Sequence, residues 1–148
     1  MEDIKNYIQM LPNIATSGQP TEEQFKKISQ AGYRAVVNLA MPDHRDSINN
    51  EGQLVTELGM DYFHIPVPFD NPTNEHVRLF CKIMHALRDE KIWVHCIMNY
   101  RVAVFMFHYL SKVAGLNESA SMSPMFKNWK PNEKWQEILE LTANDIGL

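Results

Sequence analysis

Cysteine is scarce in this chain: Cys81 and Cys96 are the two among 148 residues. They form no C-x-x-C pair and no cluster with histidine, which argues against both a disulfide framework and a zinc site. Two thiols of this kind fit a reducing compartment, so a cytoplasmic location is the expectation. The opening, Met1-Glu2-Asp3-Ile4-Lys5, lacks the basic-then-apolar layout of a secretory leader, although a leader already removed would leave no trace. No apolar run reaches membrane-spanning length, so no membrane partner is expected. Excess positive charge is missing too. The net charge is −4, which gives nucleic acid no footprint to bind, and any anion site must be local. Repeats, low-complexity tracts and linkers are absent. One domain over residues 1–148 is therefore the default, with enough chain for one substantial core.

Against this background the six residues Cys96-Ile97-Met98-Asn99-Tyr100-Arg101 stand out. They follow Ile92-Trp93-Val94-His95, a short β-branched and aromatic run that reads as a buried strand. They precede Val102-Ala103-Val104-Phe105-Met106-Phe107, which continues to about Ala114 and reads as a buried helix. A cysteine at a strand's end and an arginine in the next helix's first turn make an anion site. Backbone N–H groups in such a turn point into one small volume, and the helix N-terminus adds partial positive charge. A thiol held there loses its proton readily and becomes a nucleophile. The competing interpretation is an inert buried thiol, a common state for cysteine.

The rest of the chain alternates helix and strand. Gly18-Gln19-Pro20 is a turn, and Thr21 with Gln24 has capping-box spacing for a helix that buries Phe25 and Ile28 and ends near Gly32. Residues 34–40 form a strand, residues 41–47 a polar loop, and a helix carrying Leu54, Val55 and Leu58 runs to Gly59. Residues 62–67 form another strand, shortened by Pro66, and residues 68–72 a loop. Thr73 starts a helix in which Val77, Phe80, Cys81, Met84 and Leu87 keep helical spacing. After the strand at His95 only helices follow: one to about Ala114, one over 117–126, a break at Trp129-Lys130-Pro131, and a last one holding Trp135, Ile138, Leu139 and Leu141.

This order predicts an α/β fold: a single three-layer domain with a mostly parallel central sheet flanked by helices. Right-handed crossovers put the C-terminal ends of successive parallel strands on one edge, where open α/β sheets bind ligands. The loops at 41–47, 68–72 and 96–101 should meet there. Arg101 then offers a planar, permanently charged fork for two oxygens of a phosphoryl group. The amides of Ile97, Met98, Asn99, Tyr100 and Arg101 can hold the same oxygens.

Val94-His95-Cys96, a short loop, and Arg101 opening an apolar helix resemble the signature of cysteine-dependent protein tyrosine and dual-specificity phosphatases. Ser17-Gly18-Gln19-Pro20, the strand ending Val37-Asn38-Leu39, and Ile65-Pro66-Val67-Pro68-Phe69-Asp70 are similar to small bacterial dual-specificity-like phosphatases. Those are related to the phosphatase domain of β-lactamase-hydrolase-like proteins. The resemblance runs from about Ile14 to Trp135 and implies a dual-specificity-phosphatase-like fold. It also implies phosphate-monoester hydrolysis without metal or cofactor, on a phosphorylated protein or small phosphate ester. Cys96 would form a phosphocysteine, Arg101 and the loop amides would hold the equatorial oxygens, and Asp70 would serve as general acid. Asp70 reads equally as a turn residue in Phe69-Asp70-Asn71-Pro72, and Asp43, on the neighbouring loop, is the reserve acid. In the family His95 tunes the cysteine; on its residues alone it could equally be a hydrogen-bonded core histidine. The other histidines, at 44, 64, 76, 85 and 108, read as surface or satisfied core residues, Arg45 as a solvated loop arginine, and Trp129, Trp135 and Cys81 as packing. A disulfide between Cys81 and Cys96 would need a close approach of their backbones.

Three features depart from the family. Four residues, not five, separate Cys96 from Arg101, a spacing that also resembles rhodanese-like sulfurtransferases. The loop has no glycine, although an amide cradle often needs a positive φ; Asn99 is the residue that can supply it, unless the loop bends without one. Val102 stands where many members have a serine or threonine hydroxyl. Two alternatives to the hydrolase follow: a sulfurtransferase carrying sulfur on Cys96, and a catalytically weak phosphate-binding module.

Overall fold

The computed structural model describes all of residues 1–148. A five-stranded sheet in the order β1-β2-β5-β3-β4 forms its centre. The strands are β1 (Ile8–Leu11), β2 (Ile14–Ser17), β3 (Ala35–Asn38), β4 (Asp61–His64) and β5 (Ile92–His95). The pairs β2·β5, β5·β3 and β3·β4 are parallel, and only β1 runs antiparallel, hairpinned onto β2. The α/β layered architecture and its mostly parallel sheet are as the alternating pattern predicts. The N-terminal hairpin is not, because Gln9 and Asn13 interrupt its apolar residues and no strand-like run announces it.

Successive side chains of a strand face opposite sides, and the two sides have separate cores. Ala35, Val37, Ile92 and Val94 pack into a large cluster with Val77, Phe80 and Met84 of α3 (Asn74–Ala86), Val104 and Phe105 of α4 (Tyr100–His108), and Trp135 further on. Ala15, Val36 and Trp93 pack on the other side against Phe25 and Ile28 of α1 (Glu22–Gln30) and Val55 of α2 (Glu51–Glu57). Thr21 and Thr73 close capping boxes at the starts of α1 and α3, each stabilising its helix by about 1 kcal/mol.

Helix α4 is buried on all sides, as its uninterrupted apolar run requires. It continues as a π-helical turn, Tyr109–Val113, in which Ala114 N–H donates to the Tyr109 carbonyl at 3.0 Å. The expected helix over 117–126 is two pieces: α5 (Glu118–Ser121) and a 3₁₀ turn, Pro124–Lys127. Pro124 separates them, since it has no N–H to continue the helix. Leu141 lies beyond α6 (Glu133–Leu139), and a short α7 (Ala143–Ile146) ends the fold. No helix is long and apolar enough to cross a membrane.

Candidate active site

Because β2, β5, β3 and β4 are parallel, the segments that leave them gather at one edge of the sheet. A cleft of about 530 Å³ opens there, walled by Met41, Asp43 and His44 after β3, Phe69 after β4, and Ile97, Met98, Tyr100 and Arg101 after β5. The three loops expected to meet do meet.

The turn after β5 has its carbonyls tied down one after another. The Cys96 carbonyl is 3.0 Å from His95 Nδ1. The Ile97 carbonyl accepts from the Gln19 amide at 3.0 Å, and the Met98 carbonyl from Asn6 Nδ2 at 2.9 Å. The peptides are all trans, so each following N–H points opposite to the tied carbonyl. The amides of Ile97, Met98 and Asn99 therefore face away from these anchors. Neither they nor the amides of Tyr100, Arg101 and Val102 donate to any group of the protein. The last three belong to the first turn of α4, where unspent donors and the positive end of the helix coincide.

Asn99 makes the geometry without glycine. Its φ is 71° and ψ 13°, the left-handed conformation expected of it. The side chain is fully buried, and Nδ2 donates to the Asn6 carbonyl at 2.9 Å and to Thr16 Oγ1 at 3.1 Å. Asn6, itself at φ 51°, returns the bond through Met98. Gly18 is needed for close approach: a Cβ there would stand 2.3 Å from the Ile97 carbonyl oxygen.

Cys96 and Arg101, at the two ends of the turn, are both buried, at 1% and 6% exposure. Arg101 Nη1 donates to the Val67 carbonyl at 2.9 Å, and its guanidinium lies 5.7 Å from the centre of the Phe69 ring. No carboxylate pairs with it. A buried guanidinium with most of its five donors unspent is prepared for an anion. Val102 is wholly buried in the core.

Behind Cys96, His95 is fully buried, edge-on to Phe25, and its Nε2 lies 2.8 Å from Glu51 Oε2. Gln19 Nε2 donates to the other carboxylate oxygen at 2.6 Å. Burial pushes the Glu51 carboxyl up, but the His95 charge and bonds from His95, Gln19 and Tyr62 outweigh it and hold it below the usual range. Burial and the Glu51 charge push the Tyr62 phenol well above its usual range. The sequence offers no sign of Glu51, which reads as an ordinary first-turn acid of a surface helix.

Other expectations fall into place. Trp129 stacks on Tyr100 with ring centres 4.6 Å apart, and Trp135 Nε1 donates to the Phe69 carbonyl at 2.8 Å, so both brace the cleft from behind. Cys81 is in the core, where burial pushes its thiol up to about 12. Arg45 is exposed and off the cleft wall. The two carboxylates differ: Asp43 is on the wall, whereas Asp70 is exposed in a turn one residue beyond Phe69 and not on it. No three His, Cys, Asp or Glu side chains converge as a metal-binding group.

Comparison with known proteins agrees with this geometry. The family model described as "PTP-NADK: DSP-PTPase phosphatase fused to NAD+ Kinase" matches residues 8–106, more than half of the chain and inclusive of the whole turn. The crystal structure of a DUF442 protein from Shewanella putrefaciens CN-32 is 34% identical, with a TM-score of 0.87 over 99% of this chain and 97% of that one. A beta-lactamase hydrolase-like protein of Xylella fastidiosa is 28% identical over 104 residues, 68% of this chain but 23% of that protein, so the chain spans less than a quarter of that relative's length. P. aeruginosa TpbA in complex with pTyr shares the fold, with a TM-score of 0.66 at 14% identity over 96% of this chain and 83% of that one. The chain belongs to the DSP-PTPase phosphatase family.

Proposed function

We propose that this protein hydrolyses phosphate monoesters without metal, through a phosphocysteine on Cys96. The observation that carries the proposal is the turn itself: three successive carbonyls tied outward, an unspent run of amides at a helix N-terminus, and a buried, unpaired guanidinium beside them. Such a cradle matches a tetrahedral dianion, and its charge stabilisation grows as the phosphoryl group transfers. The Cys96 thiolate attacks phosphorus, an S–P bond forms, and the P–O ester bond breaks. An acid gives its proton to the leaving oxygen. Its carboxylate then takes a proton from water as the water oxygen attacks phosphorus, the S–P bond breaks and inorganic phosphate leaves.

Asp70 is the proposed acid. Its loop is tied to the Arg101 guanidinium through Val67 and to Trp135 through Phe69. Asp43 is the alternative from the cleft wall. Ile97, Met98, Asn99 and Tyr100 are the proposed substrate-binding residues, through their amides and, for Met98 and Tyr100, the rim of the cleft. The substrate class is a phosphorylated protein or a small phosphate ester, in line with the phosphotyrosine bound by TpbA.

The test is hydrolysis of an aryl phosphate in the presence of a chelator. Turnover should vanish in Cys96→Ser and in Arg101→Ala, and equal rates in both variants and the parent would overturn the assignment. Comparing Asp70→Asn with Asp43→Asn on alkyl and aryl esters identifies the acid, because loss of the acid penalises the poorer, alkyl leaving group more.

A further inference from the structure

Glu51 is a buried carboxylate that the reaction above does not use. It is 5% exposed, at the first turn of a seven-residue helix, and touches neither the cleft nor the turn. Its partners decide the protonation of His95. The Cys96 carbonyl can only accept, so the bond at 3.0 Å requires a proton on His95 Nδ1. His95 Nε2, 2.8 Å from Glu51 Oε2, is then either an N–H donating to a carboxylate or a lone pair accepting from a carboxylic acid.

The groups around Glu51 favour the carboxylate. Gln19 Nε2 donates to Oε1 at 2.6 Å. The Tyr62 oxygen already accepts from Asn38 Nδ2 at 3.0 Å, which leaves its proton for Glu51. Groups that donate to the carboxylate stabilise its charged form. Around the pair, α1 presents the apolar Phe25 ring, β3 an amide, β4 a neutral phenol with the His64 ring beside it, and β2 leads into Gln19; none of them is a carboxylic acid.

We propose that Glu51 is a positioning residue for Cys96: it holds His95 as a doubly protonated ring whose positive charge is fixed one residue from the sulfur. The inference rests on the hydrolase reading, in which that sulfur is the nucleophile, and adds to it what sets the thiolate. A positive ring beside Cys96 favours the thiolate. The same ring ties down the first carbonyl of the cradle, so one network sets both the charge of the nucleophile and the direction of the first amide.

Glu51→Gln separates charge from shape. Its amide can donate to Nε2 and still accept from Gln19, so the ring keeps its place but becomes neutral. The experiment measures alkylation of Cys96 by iodoacetamide against pH, read by peptide mass so that Cys81 is counted separately. Glu51→Gln should move the midpoint up by roughly one pH unit, about tenfold slower alkylation below the midpoint. An unchanged profile in a folded variant would overturn the proposal. Nitrogen NMR of the assigned His95 ring in the parent protein at pH 7.5 decides independently of the variant's folding. Both ring nitrogens protonated is the expected result, and a neutral ring with a proton on Nδ1 alone is the overturning one. Neither measurement needs turnover, so aryl-phosphate hydrolysis and this proposal can fail separately.

Discussion

Gly18→Ala tests whether the Ile97 carbonyl anchor controls the cradle. The added Cβ would lie 2.3 Å from the Ile97 oxygen and 3.1 Å from both its carbonyl carbon and the Lys5 side chain. Ordinary contact begins near 3.4 Å, so the Ile97 peptide must retreat by the difference, 3.4 − 2.3, about 1.1 Å. Backbone, not a flexible side-chain tip, is in the way. The Gln19 amide bond to Ile97 then stretches from 3.0 Å, and the Met98 amide turns with the displaced peptide. Overpacking of this kind costs about 1–3 kcal/mol, and a misplacement near 1 Å at a catalytic constellation costs on the order of 100-fold in rate. The assay pairs kcat/KM on an aryl phosphate with thermal unfolding. Gly32→Ala is the companion: Gly32 has φ 93°, and a methyl group added there would meet nothing within 4 Å, so this variant should lose about 1 kcal/mol to backbone strain and leave kcat/KM unchanged. If Gly18→Ala kept the parent's kcat/KM and melted no lower than Gly32→Ala, the role given to this anchor would be wrong.

Further outcomes follow from other parts of the structure. His108 is fully buried, with Nε2 donating to the Ile138 carbonyl at 2.7 Å and Nδ1 unpartnered, and burial pushes it down to about 4. Below about pH 6.5 the unfolded chain takes up a proton that the folded one refuses, so stability is full above that pH and declines until the folded group also titrates; between pH 8 and 5 the loss is about 2 kcal/mol. Urea unfolding should show this slope, and His108→Gln should remove its share. Asn99→Gly keeps the left-handed turn but loses the bonds to Asn6 and Thr16, whereas Asn99→Ala loses both, so Ala should melt lower, by about 1 kcal/mol of backbone strain; equal melting would count against a strained φ. Without a hydroxyl after Arg101, release of the thiolate from phosphocysteine should be slow enough for a burst in rapid-quench kinetics. Val102→Thr should shrink that burst, and a parent protein without one would show that the second step is not limiting.

The strand-to-helix geometry of the turn was legible because it is local. Cys96 and Arg101 are five positions apart, one apolar run ends before them and another begins after, and no distant residue is needed to read a strand-to-helix turn. Asn99's conformation was legible too, since no other residue of the turn tolerates a positive φ so well. The edge where the loops meet came from chirality and alternation, general properties of parallel sheets. The hairpin of β1 and β2 was not legible, because Gln9 and Asn13 break up its apolar residues and leave no strand-like run to announce it.

By itself, then, the amino-acid order determined the layered fold, the turn and the identity of the two residues at its ends, because periodicity and short spacings act through neighbouring bonds. Tertiary structure decided what holds the turn open. Asn6, Thr16, Gly18 and Gln19 reach it across more than seventy positions of chain, and Glu51 reaches His95 across forty-four. Hydrogen bonds and charges act at a few ångströms in space whatever the distance along the chain, so only folding could bring these groups to the same place.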